Sequence, residues 1–279
     1  MLAPWYQLCA LLPAPWSQFL FLQHALLAIL LLCPLLGLLG TLAVGNRMAF
    51  FADAVAHASL TGLAIGVLLG ATSPLPVMLV FAALFATVLT VLRRQSSAST
   101  DTHIGICAAA AVALGLTLLS RGRGLAQFTS YLAGDLLSIA PAELLALAGA
   151  GCVCLLVWWF AFNRFLLASF NPALARSRGD NIAALEFSFS ILLAMLVTLA
   201  LPWVGLLVIN ALLIIPAAAA RNLSRTMRGY HGIAVGGGLC CGLAGLALSY
   251  YADTATGATV ALLAALWYFI TVPFSRRPR

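Results

Sequence analysis

Long uninterrupted apolar segments dominate this sequence and limit what it can fold into. We count about nine of them, each of roughly 17–26 residues, close to the ~20 helical residues that cross a bilayer core. Apolar residues make up 63% of the chain and charged residues only 8%, whereas soluble domains carry about 25% charged residues. Because lipid offers the backbone no hydrogen-bond partners, such segments form helices. The pattern predicts an all-α polytopic membrane protein of about eight or nine transmembrane helices, with residues 1–279 as a single transmembrane domain.

The distribution of positive charge indicates an orientation. All fourteen basic residues are arginine. If nine spans are assigned and the C-terminus is placed inside, only Arg121 and Arg123 fall outside, as the positive-inside rule expects. The net charge of +7 therefore orients the protein in its membrane and does not indicate nucleic-acid binding. An eight-span assignment is the alternative, because nine spans place the N-terminus outside.

Several enzyme classes are excluded by missing residues. The chain has no lysine, so it has neither a Walker A loop nor a Schiff-base nucleophile. It also lacks the HExxH and GxSxG motifs of intramembrane hydrolases. We therefore expect a transport protein without its own ATPase motif, with no catalytic residue and no bound cofactor.

Two segments stand apart from the apolar pattern. Residues 1–18 contain two tryptophans, a tyrosine and three prolines, a composition typical of an interfacial segment at the headgroup level. Residues 164–184 form the longest polar loop and follow a helix predicted to begin near Pro141 and end near Phe162. Within that loop, Asn171 and Pro172 predict the start of a short helix and Gly179 its end.

One pair of ionisable residues lies inside an apolar segment. Asp53 and His57 are four residues apart and share one face of a helix. Each costs about 2.5–3.5 kcal/mol to insert into hydrocarbon, so each needs a partner, water or a metal. Together they offer an oxygen and a nitrogen to a divalent cation. The alternative is structural: an acid at a helix start near the interface, followed by a hydrogen-bonded histidine. Asn210, also inside a span, is best explained as a hydrogen bond to a neighbouring helix.

Six stretches of the chain, in this order, resemble the membrane permease subunits of bacterial ATP-binding-cassette importers for zinc, manganese or iron. They are RMAFFADAVAHASLTGLAIG, DTHIGICAAAAVALGL, YLAGDLLSIAPAEL, FNPALARSRG, VGLLVINALLIIPAAAAR and SYYADTATGATVAL. The resemblance covers nearly the whole chain from about Ala25 onward. The amino-acid sequence around His57 is most similar to that of the zinc branch of this family.

This resemblance implies a multi-pass protein of the bacterial inner membrane that forms half of a dimeric pore with a second permease copy, as a homodimer. Its partners are a cytoplasmic ATP-binding subunit and an extracytoplasmic metal-binding protein. Asp53 and His57 match the family's acid and histidine, which implies a transient transport site for the metal. The residues that match the family's ATPase-coupling segment are Phe170, Asn171, Pro172, Leu174, Ala175 and Gly179.

The sequence departs from that family at four positions. Asn171 stands where an acid is usual and Ala173 where a glutamate is common, although asparagine still caps a helix well. Ala109 and Ala110 stand where some zinc permeases carry a further histidine, so ligands beyond Asp53 and His57 are not indicated.

Two functional hypotheses of different class follow. In the first, the chain is the permease of an importer for divalent metal ions, most simply zinc, powered by a separate ATPase. In the second, it is a self-sufficient proton-coupled metal transporter or channel that uses Asp53 and His57 as a proton relay. The polar loop with its short helix favours the first hypothesis, because a secondary transporter needs no docking segment.

Overall fold

The structure, a computed structural model, is helical throughout its regular parts within the residues that it describes, which are 5, 6, 9, 19–95, 99–120, 134 and 136–275. The helices are α1 (Leu20–Gly45), α2 (Phe51–Leu68), α3 (Leu75–Gln95), α4 (Thr100–Leu119), α5 (Pro141–Phe170), α6 (Pro172–Ser177), α7 (Ile182–Leu223), α8 (Met227–Ala252) and α9 (Thr256–Thr271), followed by the 3-10 turn Val272–Phe274. All of these helices except α6 are long and apolar enough to cross a membrane, α9 together with the 3-10 turn that follows it.

Helix α7 reverses direction at Gly205 and so forms a hairpin of two helices. A straight helix of 42 residues would be about 63 Å long, twice the thickness of a bilayer core. Gly205 has φ 77° and ψ 160°, a conformation that essentially only glycine adopts. The two ends of α7 meet the same end of α1: Arg221 and Gly45 line one cleft, and Leu185 and Asn46 line the next. Residues 182–204 and 206–223 are therefore separate crossings, in agreement with the nine-span assignment.

Helix α1 packs against α5, α7 and α8, and most of its residues are buried. At Gly40, a Cβ atom would lie 1.9 Å from the backbone oxygen of Leu213. Glycine at this position lets α1 and the second half of α7 touch through their backbones, as small residues do between membrane helices. This contact fixes the half of α7 that carries Asn210.

Helix α5 begins as predicted and ends later than predicted. Its N-terminus has Pro141 in the first turn, and a Glu143 side-chain oxygen accepts a hydrogen bond of 2.8 Å from the backbone N–H of Ala140. The prediction that it ends near Phe162 is wrong, because the helix continues to Phe170. Arg164 does not interrupt the helix, since arginine is a good helix former.

The interfacial segment predicted for residues 1–18 lies mostly outside the described residues. Trp5 Nε1 donates a hydrogen bond of 3.0 Å to the backbone oxygen of Gln23. Tyr6 Oη lies 2.9 Å from His24 Nε2, and His24 Nδ1 lies 3.2 Å from the backbone oxygen of Ile139. These aromatic side chains therefore contact the first turns of α1, where His24 has a structural role.

Candidate metal-transport site

Asp53 and His57 are the two solvent-accessible residues in an otherwise buried stretch of α2. Every other residue from Phe51 to Ala64 is buried, whereas the Asp53 side chain is 36% exposed and the His57 side chain 29%. Asp53 lies in the first turn of α2, where the free N–H groups of a helix favour a carboxylate. The ionisable pair therefore faces accessible space, while the apolar residues around it pack against neighbouring helices.

The two side chains face each other across one helical turn. His57 Nε2 lies 3.8 Å from Asp53 Oδ1, which is too long for a hydrogen bond. Within the described residues, His57 has no other polar partner at closer range. Its imidazole is therefore free to bind a ligand that lies between it and the carboxylate.

Asn210, in the second half of α7, is the third residue of this cluster. Its Nδ2 donates a hydrogen bond to Asp53 Oδ1, which confirms the prediction of a bond to a neighbouring helix. Asn210 is five residues from the break at Gly205 and thirteen from the end of α7 at Leu223, about 7 Å and 20 Å along the helix axis. Asp53, which lies in the first turn of α2 as the structural alternative expects, is thus bonded to a residue away from both ends of the second half of α7.

Two further hydrogen bonds fix α2 beside the site. The Ser59 and Thr198 hydroxyls are 2.7 Å apart, which joins α2 to the first half of α7. Thr61 Oγ1 donates a hydrogen bond of 2.6 Å to the backbone oxygen of Ala111 on α4. Because α2 is held on both sides, Asp53 and His57 have defined positions relative to α4 and α7.

The carboxylate of Asp53 and the imidazole of His57 are suited to transient binding of a divalent cation. One carboxylate and one imidazole match the ligands that zinc takes at about 2.0–2.2 Å, and manganese and iron accept the same atoms. Within the described residues, no group of three or more His, Cys, Asp or Glu side chains surrounds a possible metal position. Ala109 and Ala110 lie on an exposed face of α4 and add no donor. Two ligands from one chain form an open site and not a closed structural one.

The short helix expected in the polar loop is present as α6. Asn171 caps it, with its side-chain oxygen accepting a hydrogen bond of 3.0 Å from the backbone N–H of Leu174. Gly179 has φ +83° and ends the segment. Ala175 is buried, whereas Leu174 is 42% exposed, so α6 presents an apolar side chain outward.

The loop that contains α6 is connected to the bundle on both sides. Phe170 ends α5 and Asn181 caps α7. Arg164 Nε lies 3.6 Å from Asp180 Oδ1, an ion pair that joins the end of α5 to the residues before α7. The segment that holds α6 is therefore attached at both ends to membrane-length helices.

Residues 18–275 match the profile of the ABC 3 transport family. The high-affinity zinc uptake system membrane protein ZnuB of Haemophilus influenzae is 33% identical over 257 residues, covering 91% of this chain and 98% of ZnuB. The manganese import system permease protein ScaB of Streptococcus parasanguinis is 29% identical over 255 residues, covering 91% of each chain. The solved structure of PsaBC from Streptococcus pneumoniae in complex with Fab is similar, with a TM-score of 0.81 and 27% identity over 97% of this chain and 95% of that one.

Proposed function

The chain belongs to the ABC 3 transport family, and on this premise we propose that it imports zinc through a site formed by Asp53 and His57. As a member of this family it is a multi-pass permease of a bacterial ABC uptake system for metal ions. It is not itself an enzyme, and ATP hydrolysis belongs to a separate subunit. Family membership therefore favours the ATP-powered permease over the self-sufficient proton-coupled transporter.

The observation that carries the proposal is the accessible Asp53–His57 pair inside the helix bundle. The acid and the imidazole face each other at 3.8 Å, and they are the two accessible residues in the otherwise buried stretch from Phe51 to Ala64. Imidazole is a preferred ligand of zinc, and the ZnuB relative, at 33% identity, is a zinc uptake protein. Manganese is the competing substrate, because the ScaB relative is a manganese permease.

An open site of two ligands is suited to transport. A bound ion has to leave again, so a closed cage of four strong protein ligands would hold it too long. In a symmetric homodimer, two copies of the chain would each supply one oxygen and one nitrogen around a common path. An extracytoplasmic metal-binding protein would deliver the ion to this path.

The residues from Phe170 to Gly179 are proposed as the contact with the ATPase. Helix α6 has a defined start at Asn171 and Pro172 and a defined end at Gly179. It exposes Leu174 and lies at the end of the bundle where most of the arginines fall. The sequence expectation that this end is cytoplasmic places α6 within reach of a cytoplasmic subunit.

The test is metal accumulation in a bacterial strain that lacks its own zinc and manganese importers. The strain expresses the chain with its ATPase and binding protein, and radiolabelled zinc and manganese are supplied separately. We expect zinc accumulation that is lost in Asp53→Ala and His57→Ala. Accumulation of manganese but not of zinc would overturn the zinc assignment, and unchanged uptake by the double variant would overturn the site.

A further inference from the structure

We propose that Asn210 is a positioning residue of the transport site, which holds Asp53 away from His57 and so keeps the bound metal releasable. This inference rests on the metal-transport role proposed for Asp53 and His57. It adds a third residue, from a different helix, and assigns to it the control of affinity and release.

The chemistry of the contact fixes which atom of Asn210 faces the site. An ionised carboxylate only accepts hydrogen bonds, so the amide atom against Asp53 Oδ1 is the nitrogen, Nδ2. Oδ1 is also the oxygen of Asp53 that faces His57 Nε2. The amide N–H of Asn210 and a metal ion shared with His57 would therefore both bind to the same oxygen of the Asp53 carboxylate.

The distance between His57 Nε2 and Asp53 Oδ1 is longer than one bound metal ion requires. At ligand distances of about 2.0–2.1 Å and a tetrahedral angle, the nitrogen and oxygen that bind one zinc ion lie about 3.3 Å apart. Here they lie 3.8 Å apart, so the side chains have to close by about half an ångström when the ion binds. The bond from Asn210 restrains Asp53 Oδ1 in its present position. It thereby opposes this closure and lowers the affinity for the ion.

The other end of the Asn210 amide has no structural partner. Its Oδ1 is buried and accepts no hydrogen bond within the described residues. Buried polar atoms are nearly always paired, and an unpaired one in a native fold calls for an explanation. A purely structural asparagine would use both ends of its amide, whereas this one bonds to Asp53 alone.

The position of Asn210 on α7 links the site to α6. The first half of α7 begins just after the loop that holds α6, and the second half, which carries Asn210, begins at the break at Gly205. The two halves bond to α2 separately, through Thr198 and Ser59 and through Asn210 and Asp53. Elements that join at such a break move relative to one another as hinged bodies. A movement of α7 that shifts Asn210 would change how closely Asp53 approaches His57.

The test uses the full permease with its ATPase in lipid nanodiscs and compares Asn210→Leu with wild type, for zinc and for manganese. Leucine has nearly the same volume and no N–H group. We expect the Kd for the metal to fall about tenfold, as loss of an opposing hydrogen bond to a charged group allows. KM and kcat for transport should fall together, because the ion binds more tightly and leaves more slowly. Asn210→Gln, which keeps the donor, should return both constants toward wild type.

The matched control is Thr198→Val, which removes a hydrogen bond between the same two helices without touching Asp53. It should lower the thermal midpoint of the complex, because it loosens α2 against α7, without lowering KM and kcat together as Asn210→Leu does. A second variant, Asn210→Ala, also removes the N–H donor and adds no metal ligand, and we expect it to tighten binding as leucine does. It keeps the question answerable if the leucine variant does not fold.

The outcomes separate this proposal from the proposed function. A weaker metal affinity in Asn210→Leu would mean that Asn210 only supports Asp53, and it would overturn the inference. The same KM and kcat changes in Thr198→Val would also overturn it, because any loosening of α2 and α7 would then suffice. If Asp53→Ala with His57→Ala transports normally, the proposed function itself fails, whatever Asn210 does.

Discussion

Two histidines of this protein, His57 and His231, occupy sites of opposite character. His57 has a carboxylate at 3.8 Å and a side chain that is 29% exposed. His231, near the start of α8, lies between the rings of Trp158, Phe162 and Tyr230, with centroid distances of 5.8, 5.2 and 5.7 Å. Its Nδ1 lies 2.7 Å from the Thr41 hydroxyl. A carboxylate and open space suit His57 to ligand binding, whereas rings and a hydroxyl suit His231 to packing.

The hydrogen bonds around His231 also indicate which of its ring nitrogens carries a hydrogen. The Thr41 hydroxyl donates its one hydrogen to the backbone oxygen of Leu38 at 2.6 Å. Nδ1 of His231 must therefore carry the hydrogen that it shares with Thr41 Oγ1. Its Nε2 is buried and has no partner within the described residues. The difference from His57 indicates that the neighbours of a histidine inside a membrane helix, and not its residue type alone, decide whether it is a candidate ligand.

The largest expected effect comes from removing the carboxylate that distinguishes the two sites. Asp53→Ala and His57→Ala should each reduce zinc uptake to less than about a tenth of wild type. Outer partners that hold a metal ligand in its binding position are worth about 10–100-fold, so a ligand itself should be worth at least that much. Asn210 is proposed to act in the opposite sense, because it restrains Asp53 away from His57. Uptake is measured per molecule of permease that co-purifies with its ATPase, which separates loss of transport from loss of assembly.

The sequence predicted one site of this comparison better than the other. The spacing of Asp53 and His57 on one helix was enough to bring them together. The acid's partner Asn210 lies 157 residues away, and no local pattern indicates which helix it faces. The same limit applies to His231 and Thr41, which are 190 residues apart. Periodicity defines the face of one helix, whereas pairing between helices depends on packing that a single sequence does not specify.

The fold was predictable in its spans but not in its details. The apolar segments predicted both halves of α7, because each is long enough to cross a membrane. The reversal at Gly205 was not predictable, because its only sequence signal is Pro-Trp-Val-Gly at residues 202–205. A helix that is merely kinked can contain the same residues. The short helix α6 was predicted from Asn171, Pro172 and Gly179, since capping is local chemistry. The end of α5 was not, because Asn163 and Arg164 resemble the polar boundary of a span, whereas the helix continues past them and buries Phe165 in the core.

The comparison is sharpened by a third region, the α6 segment, where loss of transport should leave the metal site intact. Leu174 is exposed on α6, and Leu174→Asp would place a charge where an apolar contact with the ATPase is proposed. We expect uptake to fall about tenfold, as loss of an interface anchor does, with metal affinity unchanged in the purified permease.

The matched control for this region is Ala173→Glu, which adds an acid to the same helix at a position where similar permeases commonly carry glutamate. It should retain transport. If Leu174→Asp transports zinc at the wild-type rate while the ATPase remains bound, α6 is not the coupling contact.

A smaller effect, on stability and not on transport, is expected from Thr41→Val beside His231. The substitution preserves shape but leaves the buried Nδ1–H of His231 without an acceptor. A buried unsatisfied donor costs about 1–3 kcal/mol, so the thermal midpoint of the purified permease should fall. Zinc uptake per folded molecule should stay within about twofold, and a loss as large as that of His57→Ala would break the contrast between the two histidines.

The smallest effect is expected when both partners at His231 are removed together. In Thr41→Val with His231→Leu, two apolar side chains of similar volume replace a hydrogen-bonded pair, and no donor is left unsatisfied. Replacing both partners is often nearly neutral, whereas removing one leaves the other buried and unpaired. The double variant should therefore be more stable than Thr41→Val alone, within about 1 kcal/mol of wild type, which a double-mutant cycle of thermal midpoints measures. Additive losses in that cycle would show that each residue contributes separately, and His231 would then need a partner other than Thr41 to explain its place in the fold.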